Sequence, residues 1–403
     1  MQAIILGCGN IGSSVARKIG ALRSELKLII ADKNLAAAEL LASEIGNGAI
    51  AYQVDVTCAD SLNALLLQGD VVLNTIGPFY RTAIPVIEAA INAKINYVDI
   101  NDDHDVAVTL VTDQTYDQRA KDANIIILLG CGATPGFTNV LAKLGCERLD
   151  KAKSIRLSWV VPLLFSAFSP AILEHLFHML SGNVTQFIDG RHQQVPAYGG
   201  ERDVEFLAPF KTYSTYFSGH GEPVTLGHFI PGLEEATIRS CFFPQKADDL
   251  MRSLVECGFG SRDNIPGVDI SPLEFLSSYI KTTAGQTALS NALDEDDVFG
   301  FASQIEVCGE RDGKEVRIVF EEHQMLSAAA RGSEEKEQPE GVDATAVCAR
   351  LALELVLDGK IERRGFLAPE ACFDAVPYID AVVAETNKII HMREEFVQRG
   401  AFS

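Results

Sequence analysis

At 403 residues, 47% apolar and 22% charged, the chain has the make-up of a globular protein with room for two or three domains. A formal net charge of -21 argues against nucleic acid or an anionic membrane as partner, because the protein's own field would oppose both. Nine cysteines without a C-x-x-C pair, a first strand that starts beside Met1, and no apolar run long enough for a bilayer point to a reduced cytoplasm and no membrane span.

Ala3-Ile4-Ile5-Leu6 reads as a buried strand, and Gly7-Cys8-Gly9-Asn10-Ile11-Gly12 completes G-x-G-x-x-G before a helix with Val15, Ile19 and Leu22 on one face. A second strand, Leu28-Ile29-Ile30-Ala31, ends at Asp32, about twenty residues past the last glycine. Each part suits a dinucleotide. Gly7 makes the tight turn, Gly9 lets backbone approach the pyrophosphate, and Gly12 admits close helix–strand packing. The amides opening the helix at Asn10 and Ile11 face the phosphates, and Asp32 accepts from the ribose hydroxyls. A carboxylate there repels a 2′-phosphate, so NAD is expected, while Lys33 beside it could tolerate NADP. Cys8 is read as a small residue that fits its turn.

Alternation continues: a helix over 35–45, a strand over 49–56 that puts Asp55 and Val56 at its end, and a helix over 59–67. Val71-Val72-Leu73-Asn74 then leads into Thr75-Ile76-Gly77-Pro78-Phe79. A helix over 82–93, the strand Tyr97-Val98-Asp99-Ile100, a helix over 113–123 and a strand over 125–129 follow. Six strands, each crossed over by a helix, require a parallel sheet covered on both faces, the doubly wound Rossmann α/β class. From Gly132 the pattern changes. A helix to about residue 149 precedes strand-like pieces at 154–161, 205–209, 225–229 and 236–241, with helices at 171–180 and 245–257. Residues 302–310 and 314–322 form an antiparallel pair around Arg311-Asp312-Gly313. Residues 327–341 read as a mobile loop, and 345–357 and 377–393 as terminal helices that return to the first domain. The expected domains are 1–131 plus 345–403 for the dinucleotide, and 132–344 as an α+β domain for substrate and subunit contacts.

Several of these segments resemble the saccharopine dehydrogenase-like oxidoreductases. The likeness rests on Gly7 to Gly12, on Asn74-Thr75-Ile76-Gly77-Pro78-Phe79 and on Tyr97-Val98-Asp99. It is sharpest at Gly130-Cys131-Gly132-Ala133-Thr134-Pro135-Gly136-Phe137-Thr138-Asn139, similar to the family's G-x-x-P-G-hydrophobic-S/T-N opening of its second domain. Ala236-Thr237-Ile238-Arg239 resembles its T-hydrophobic-R strand, and Gly365 to Glu370 its C-terminal G-hydrophobic-x-x-P-E segment. The resemblance implies an NAD(P)-dependent oxidation of an amine to an imine, or the reverse, on an amino acid or polyamine derivative, in a homodimer formed through the second domain. A Schiff-base reductase of the carboxynorspermidine dehydrogenase type is the alternative within the family. A non-catalytic dinucleotide-binding redox sensor is the alternative outside catalysis. Lysine- and saccharopine-processing members carry D-G-L-R ahead of the T-hydrophobic-R strand. Here Gly219-His220-Gly221-Glu222-Pro223-Val224 stands there, without the arginine and with a glutamate, which suits an amine better than an acid.

Ligands of open parallel sheets bind beyond the carboxyl ends of the strands. Thr75, Ile76, Gly77 and Pro78, with Asp99, therefore join the cofactor set, and Phe79, Pro135, Gly136 and Asn139 the substrate set. His104, in an acidic stretch at a strand end, titrates near neutrality and could move a proton, although a solvated loop is the plainer reading. His220 with Glu222 is a second acid/base pair, and Arg239 could grip a carboxylate or serve a structural ion pair. Glu174, His175 and His178 share a helix, but no third metal ligand stands out and an amphipathic helix is the better reading, so no metal is expected. The acid run 294–297 reads as a solvated loop.

Overall fold

The computed structural model describes residues 1–163, 170–292, 300–325 and 343–396. The expected loop at 327–341 and the acid run at 294–297 lie outside them. The chain divides into two compact units. The first comprises Met1–Leu144, Val224–Pro231 and Gly341–Asn387; the second comprises Gly145–Pro223, Gly232–Glu340 and Lys388–Ser403.

The first unit runs β1 (Gln2–Leu6), α1 (Asn10–Leu22), β2 (Lys27–Asp32), α2 (Leu35–Ile45), β3 (Ile50–Gln53), α3 (Ala59–Leu66), β4 (Val71–Asn74), α4 (Phe79–Ala93), β5 (Asn96–Asp99), α5 (His104–Thr112), α6 (Thr115–Asp122), β6 (Ile126–Leu128) and α7 (Phe137–Glu147). Alternate strand residues Ile4, Ile29, Val72, Tyr97 and Ile127 join the core built with α3 to α6. The intervening residues Ala3, Ile5, Ile30, Leu73, Val98 and Leu128 are equally buried on the other face. That is why the strands read as unbroken apolar runs.

In the second unit come β7 (Lys151–Pro162), α8 (Pro170–Met179), β8 (Asn183–Ile188), β9 (Arg191–Pro196), β10 (Arg202–Glu205) and β11 (Thr212–Phe217); then, after α9 (Glu222–Phe229), which from Val224 on belongs to the first unit, β12 (Glu235–Phe243), α10 (Gln245–Glu256), α11 (Pro272–Tyr279), α12 (Thr283–Ala292), β13 (Gly300–Arg311) and β14 (Lys314–Met325). The chain then supplies α13 (Ala344–Leu357), β15 (Gly365–Leu367), α14 (Pro369–Cys372) and α15 (Ala375–Thr386) to the first unit and β16 (His391–Phe396) to the second. Helix α13 packs on α1, β4 and β5.

The first sheet is parallel throughout, in the order β15-β6-β5-β4-β1-β2-β3. This is the doubly wound order with a seventh strand added by the C-terminal segment. The second sheet is mixed, β10-β11-β12-β7-β13-β14-β16, with the β8–β9 hairpin attached to β12.

Two expectations are corrected. Residues 225–229, read as a strand, lie in helix α9, whose Val224 joins the apolar core. A short apolar run with β-branched members cannot by itself separate a buried helix from a strand. The helix expected over 377–393 stops at Thr386, where Asn387 turns into the left-handed region (φ 53°). The chain then pairs along β14 as β16. The first compact unit itself runs to Leu144 and includes Val224–Pro231.

The polar face of the second sheet centres on Glu306. It is 3% exposed and bonds Arg156 (3.0 Å), Arg202 (3.0 Å) and Arg317 (2.6 Å). Burial raises its pKa, but the charges of Arg202 and Arg317 outweigh that and hold it down at about 2. A depressed carboxylate stabilises the fold above the unfolded pKa of about 4.3 and loses that contribution as pH falls through about 2. Glu306→Ala should therefore cost about 2–3 kcal/mol at pH 7 in urea unfolding, since it takes the shared carboxylate from three half-buried arginines. Its stability should also fall less steeply than the wild type's between about pH 4.3 and pH 2; parallel slopes would exclude this role.

Candidate active site

The dinucleotide cradle begins at the β1–α1 turn. Gly7 sits at φ 102°, and a Cβ on Gly12 would run into the Gly7 carbonyl, so neither position accepts a side chain. A Cβ on Gly9 would meet nothing within 4 Å, which leaves the backbone there open to approach. Gly9 caps α1 without a side-chain bond, leaving the amides that open the helix for an anion. Asp32 accepts from the Cys8 amide (2.7 Å) and the Asn34 amide (2.8 Å), so the acidic residue also clamps the glycine turn. These residues fit a dinucleotide: a cradle without side chains, a helix terminus and an acid at the end of β2. Lys33 is engaged with Asp55 at 2.8 Å, and Val56 is buried one residue on.

Thr75 closes the cradle from β4, its hydroxyl donating to the Leu6 carbonyl at 2.8 Å. Ile76 follows with its amide held by Asn74 Oδ1 (3.1 Å), and its carbonyl accepts from Thr82 at 2.5 Å. Gly77 and Pro78 are joined by a cis bond, and buried Phe79 opens α4.

Asp99 is fully buried at the end of β5. Its Oδ2 accepts from the Tyr97 hydroxyl (2.7 Å), and its Oδ1 from the amides of Asn101 (3.1 Å) and Gly130 (2.7 Å). Burial pushes this carboxyl up to about 7, against the pull of those donors. Both of its oxygens are engaged by donors inside the protein. His104, expected in a solvated loop, is instead 5% exposed and opens α5. The apolar Val106, Ala107 and Leu110 that follow draw this turn into the core.

At the start of α7, Gly136 (φ 126°) lies against Gly132, where a Cβ would strike the Gly132 carbonyl. Asn139, 1% exposed, accepts from the Gly136 amide at 3.0 Å and donates to Thr225 at 3.1 Å. Pro135 accepts from the Gly132 amide through its carbonyl at 2.8 Å. The Pro-Gly-x-x-Asn segment thus shapes its own turn, with both ends of the Asn139 amide engaged.

In the second unit His220 (3% exposed) and Glu222 (0%) form a buried pair, Nδ1 to Oε2 2.5 Å apart. The rings of His175 and Trp159 pack edgewise on the imidazole, with centroids 6.0 and 6.5 Å away. Their loop is held by the Gly219 amide on the Met179 carbonyl and by Gln186 on the Ser218 carbonyl. Glu174, the neighbour of His175, pairs with Arg262. Arg239 donates to the Gly200 carbonyl (2.8 Å) and Thr237 (2.9 Å) and lies over Phe217, 4.2 Å from its centroid. Burial lowers its pKa to about 10, opposed by nearby Glu235. Two donors and one face are already taken up, which fits the structural reading of Arg239.

Residues 3–128 match the saccharopine dehydrogenase NADP binding domain, and residues 132–387 match the saccharopine dehydrogenase C-terminal domain. The chain belongs to the saccharopine dehydrogenase family. It is an NAD(P)-dependent dehydrogenase of that family. It is 30% identical over 314 residues to carboxyaminopropylagmatine dehydrogenase of Synechocystis, covering 72% of this chain and 76% of the relative. Carboxynorspermidine synthase of Vibrio alginolyticus is 26% identical over 261 residues, 57% of this chain and 60% of that protein. In fold it resembles saccharopine dehydrogenase (L-Glu forming) from Saccharomyces cerevisiae, with a TM-score of 0.64 at 17% identity over 98% of this chain and 100% of that one.

Within this family fold, sequence reasoning did not single out the buried Asn74 and Tyr97, and it read His175, with Glu174 and His178, as part of an amphipathic helix. The signal for the first two was polar groups inside otherwise apolar parallel strands. Gly12→Ala should abolish measurable NAD(P) binding, at least a tenfold loss by calorimetry, while the far-ultraviolet circular dichroism stays unchanged. Retained affinity would exclude the cradle.

Proposed function

We propose that the protein interconverts a secondary amine and an imine at a C–N bond of a carboxylated polyamine, with NAD as preferred nicotinamide. The buried His220–Glu222 pair carries this reading. Oxidation takes a hydride from the carbon and a proton from the nitrogen; water added to the C=N bond then releases a carbonyl compound and an amine. The bound nicotinamide supplies the hydride acceptor, or the donor in reverse. His220 exchanges the proton at Nε2, while Glu222 on Nδ1 fixes the tautomer and stabilises the imidazolium.

The two relatives, a carboxyaminopropylagmatine dehydrogenase and a carboxynorspermidine synthase, support a polyamine over lysine or saccharopine. So does the replacement of the family's D-G-L-R by Gly219 to Val224. The likeness to a carboxynorspermidine synthase favours a second reading, physiological reduction of a Schiff base made from an amine and an aldehyde. Asp32 supports NAD, because its charge opposes a 2′-phosphate, and Lys33, whose side chain is 80% exposed, is drawn to Asp55. A homodimer through the second unit is supported by the exposed Val268, Phe275 and Tyr279, and a cytoplasmic site by nine free cysteines. None of the described helices is long and apolar enough to cross a membrane.

The test is reduction of NAD and NADP against carboxyaminopropylagmatine, carboxynorspermidine, saccharopine and lysine. Turnover of a carboxylated polyamine is expected. Silence on all four with NAD still bound, or turnover of lysine alone, would overturn the substrate class. Glu222→Gln and His220→Gln should each lower kcat by about 10²–10⁴-fold with a smaller change in KM. Asp32→Ser should shift the NADP/NAD ratio of kcat/KM upward by about tenfold or more, as removal of one unfavourable charge contact requires.

A further inference from the structure

Backbone pairing in the first sheet stops just short of the site. The last rung of β1 with β4 is Leu6 opposite Asn74, the last of β4 with β5 is Asn74 opposite Asp99, and that of β5 with β6 is Val98 opposite Leu128. Beyond these rungs the chain enters three segments, 75–80, 100–104 and 130–136, where the ladders give way to single backbone bonds, from the Thr75 amide to the Leu6 carbonyl (2.9 Å) and from the Cys131 amide to the Asp99 carbonyl (2.8 Å). A side-chain chain takes over at that level. Asn74 accepts from the Ile76 amide with Oδ1 and donates through Nδ2 to the Tyr97 hydroxyl at 3.2 Å. That hydroxyl donates to Asp99, and Asp99 accepts from the amides that open the other two segments, Asn101 and Gly130. From Asn101 the connection continues through Nδ2 to the Asp103 carbonyl, while Asp103 Oδ2 accepts from the Tyr80 amide at 2.9 Å.

We propose that Asn74, Tyr97 and Asp99 are positioning residues, a buried brace that fixes the three strand-end segments relative to one another and thereby sets where the reacting carbon meets the nicotinamide. This rests on the dehydrogenase reading for the meaning of those segments, though not for the brace itself. Asn74, Tyr97 and Asp99 are all fully buried. Burying three polar side chains forfeits hydration, and apolar residues of matching shape would hold a fold as well. What apolar residues cannot do is capture backbone N–H groups of three separate loops at fixed distances, and hydride transfer is sensitive to displacements of about 1 Å.

The experiment compares Tyr97→Phe, Asp99→Asn and Asp99→Ala in two readouts: amide hydrogen exchange of the unliganded protein, and steady-state kinetics. Asp99→Asn keeps an oxygen for the Asn101 and Gly130 amides, whereas Asp99→Ala removes it. The brace requires exchange to quicken at residues 76, 101 and 130 in Asp99→Ala, with protection at 101 and 130 restored in Asp99→Asn. It requires kcat to fall about 10–100-fold in Asp99→Ala with KM for the dinucleotide within about threefold, and an intermediate loss in Tyr97→Phe. Unchanged exchange at all three amides, or kcat within twofold of wild type in every variant, would overturn it. Should Asp99→Ala fail to fold, Tyr97→Phe and Asp99→Asn carry the test: quickened exchange at 76 with lowered kcat in Tyr97→Phe supports the brace, and wild-type values reject it. If the substrate panel is silent, the exchange arm still decides the brace, so the two readings fail separately.

Discussion

The dinucleotide site depends on how closely the backbone of α1 approaches the backbone of β1. Gly12 lies so near the Gly7 carbonyl that a single added carbon would force the two apart. That approach lets Thr75 reach the end of β1 from β4 and lets Asp32 reach the Cys8 amide from β2. Three strands thus converge on one turn, and the turn presents unpaired amides to an anion. The glycines matter here through the space they leave, more than through flexibility.

Polar groups in the first unit follow one arrangement. Strand interiors are apolar on both faces, and the polar side chains collect at the carboxyl ends, each engaged with backbone. Asp32, Asn74, Thr75 and Asp99 all follow this pattern, and Asn139 repeats it at the start of α7. A buried polar group is tolerated only when its partners are fixed, so these residues stiffen the loops they bind. The second unit is built differently. Its mixed sheet carries a charged face organised by Glu306 and three arginines, and its loop 218–222 holds the His220–Glu222 pair.

Much was legible in the sequence because strong local constraints wrote it there. The glycine fingerprint, the alternation of strand and helix and the Asp32 spacing gave a doubly wound sheet without any tertiary information. The family resemblance, carried by Gly130 to Asn139, led to the same fold and cofactor. Less legible were residues whose role depends on a distant partner. Asp99 reads as a cofactor ligand because it ends a strand, and its bond to the Gly130 amide, 31 residues on, has no local signal. His104 read as solvated because its neighbours are acidic, yet the apolar face of α5 buries it. Arg239 carries two readings in the sequence, and only the fold shows that Gly200 and Thr237 take up two of its donors.

What the sequence determined by itself was every feature set by short-range stereochemistry: the strand–turn–helix cradle, the helix periods and the hairpin at Asp312-Gly313. Tertiary structure decided which segments of similar composition become strand or helix, and which unit they join. Residues 224–229 coil into α9 because their apolar side chains enter the first unit's core, and 391–396 straighten because β14 offers an open edge. Those outcomes turn on burial and on unpaired backbone supplied by distant parts of the chain, which no local pattern encodes.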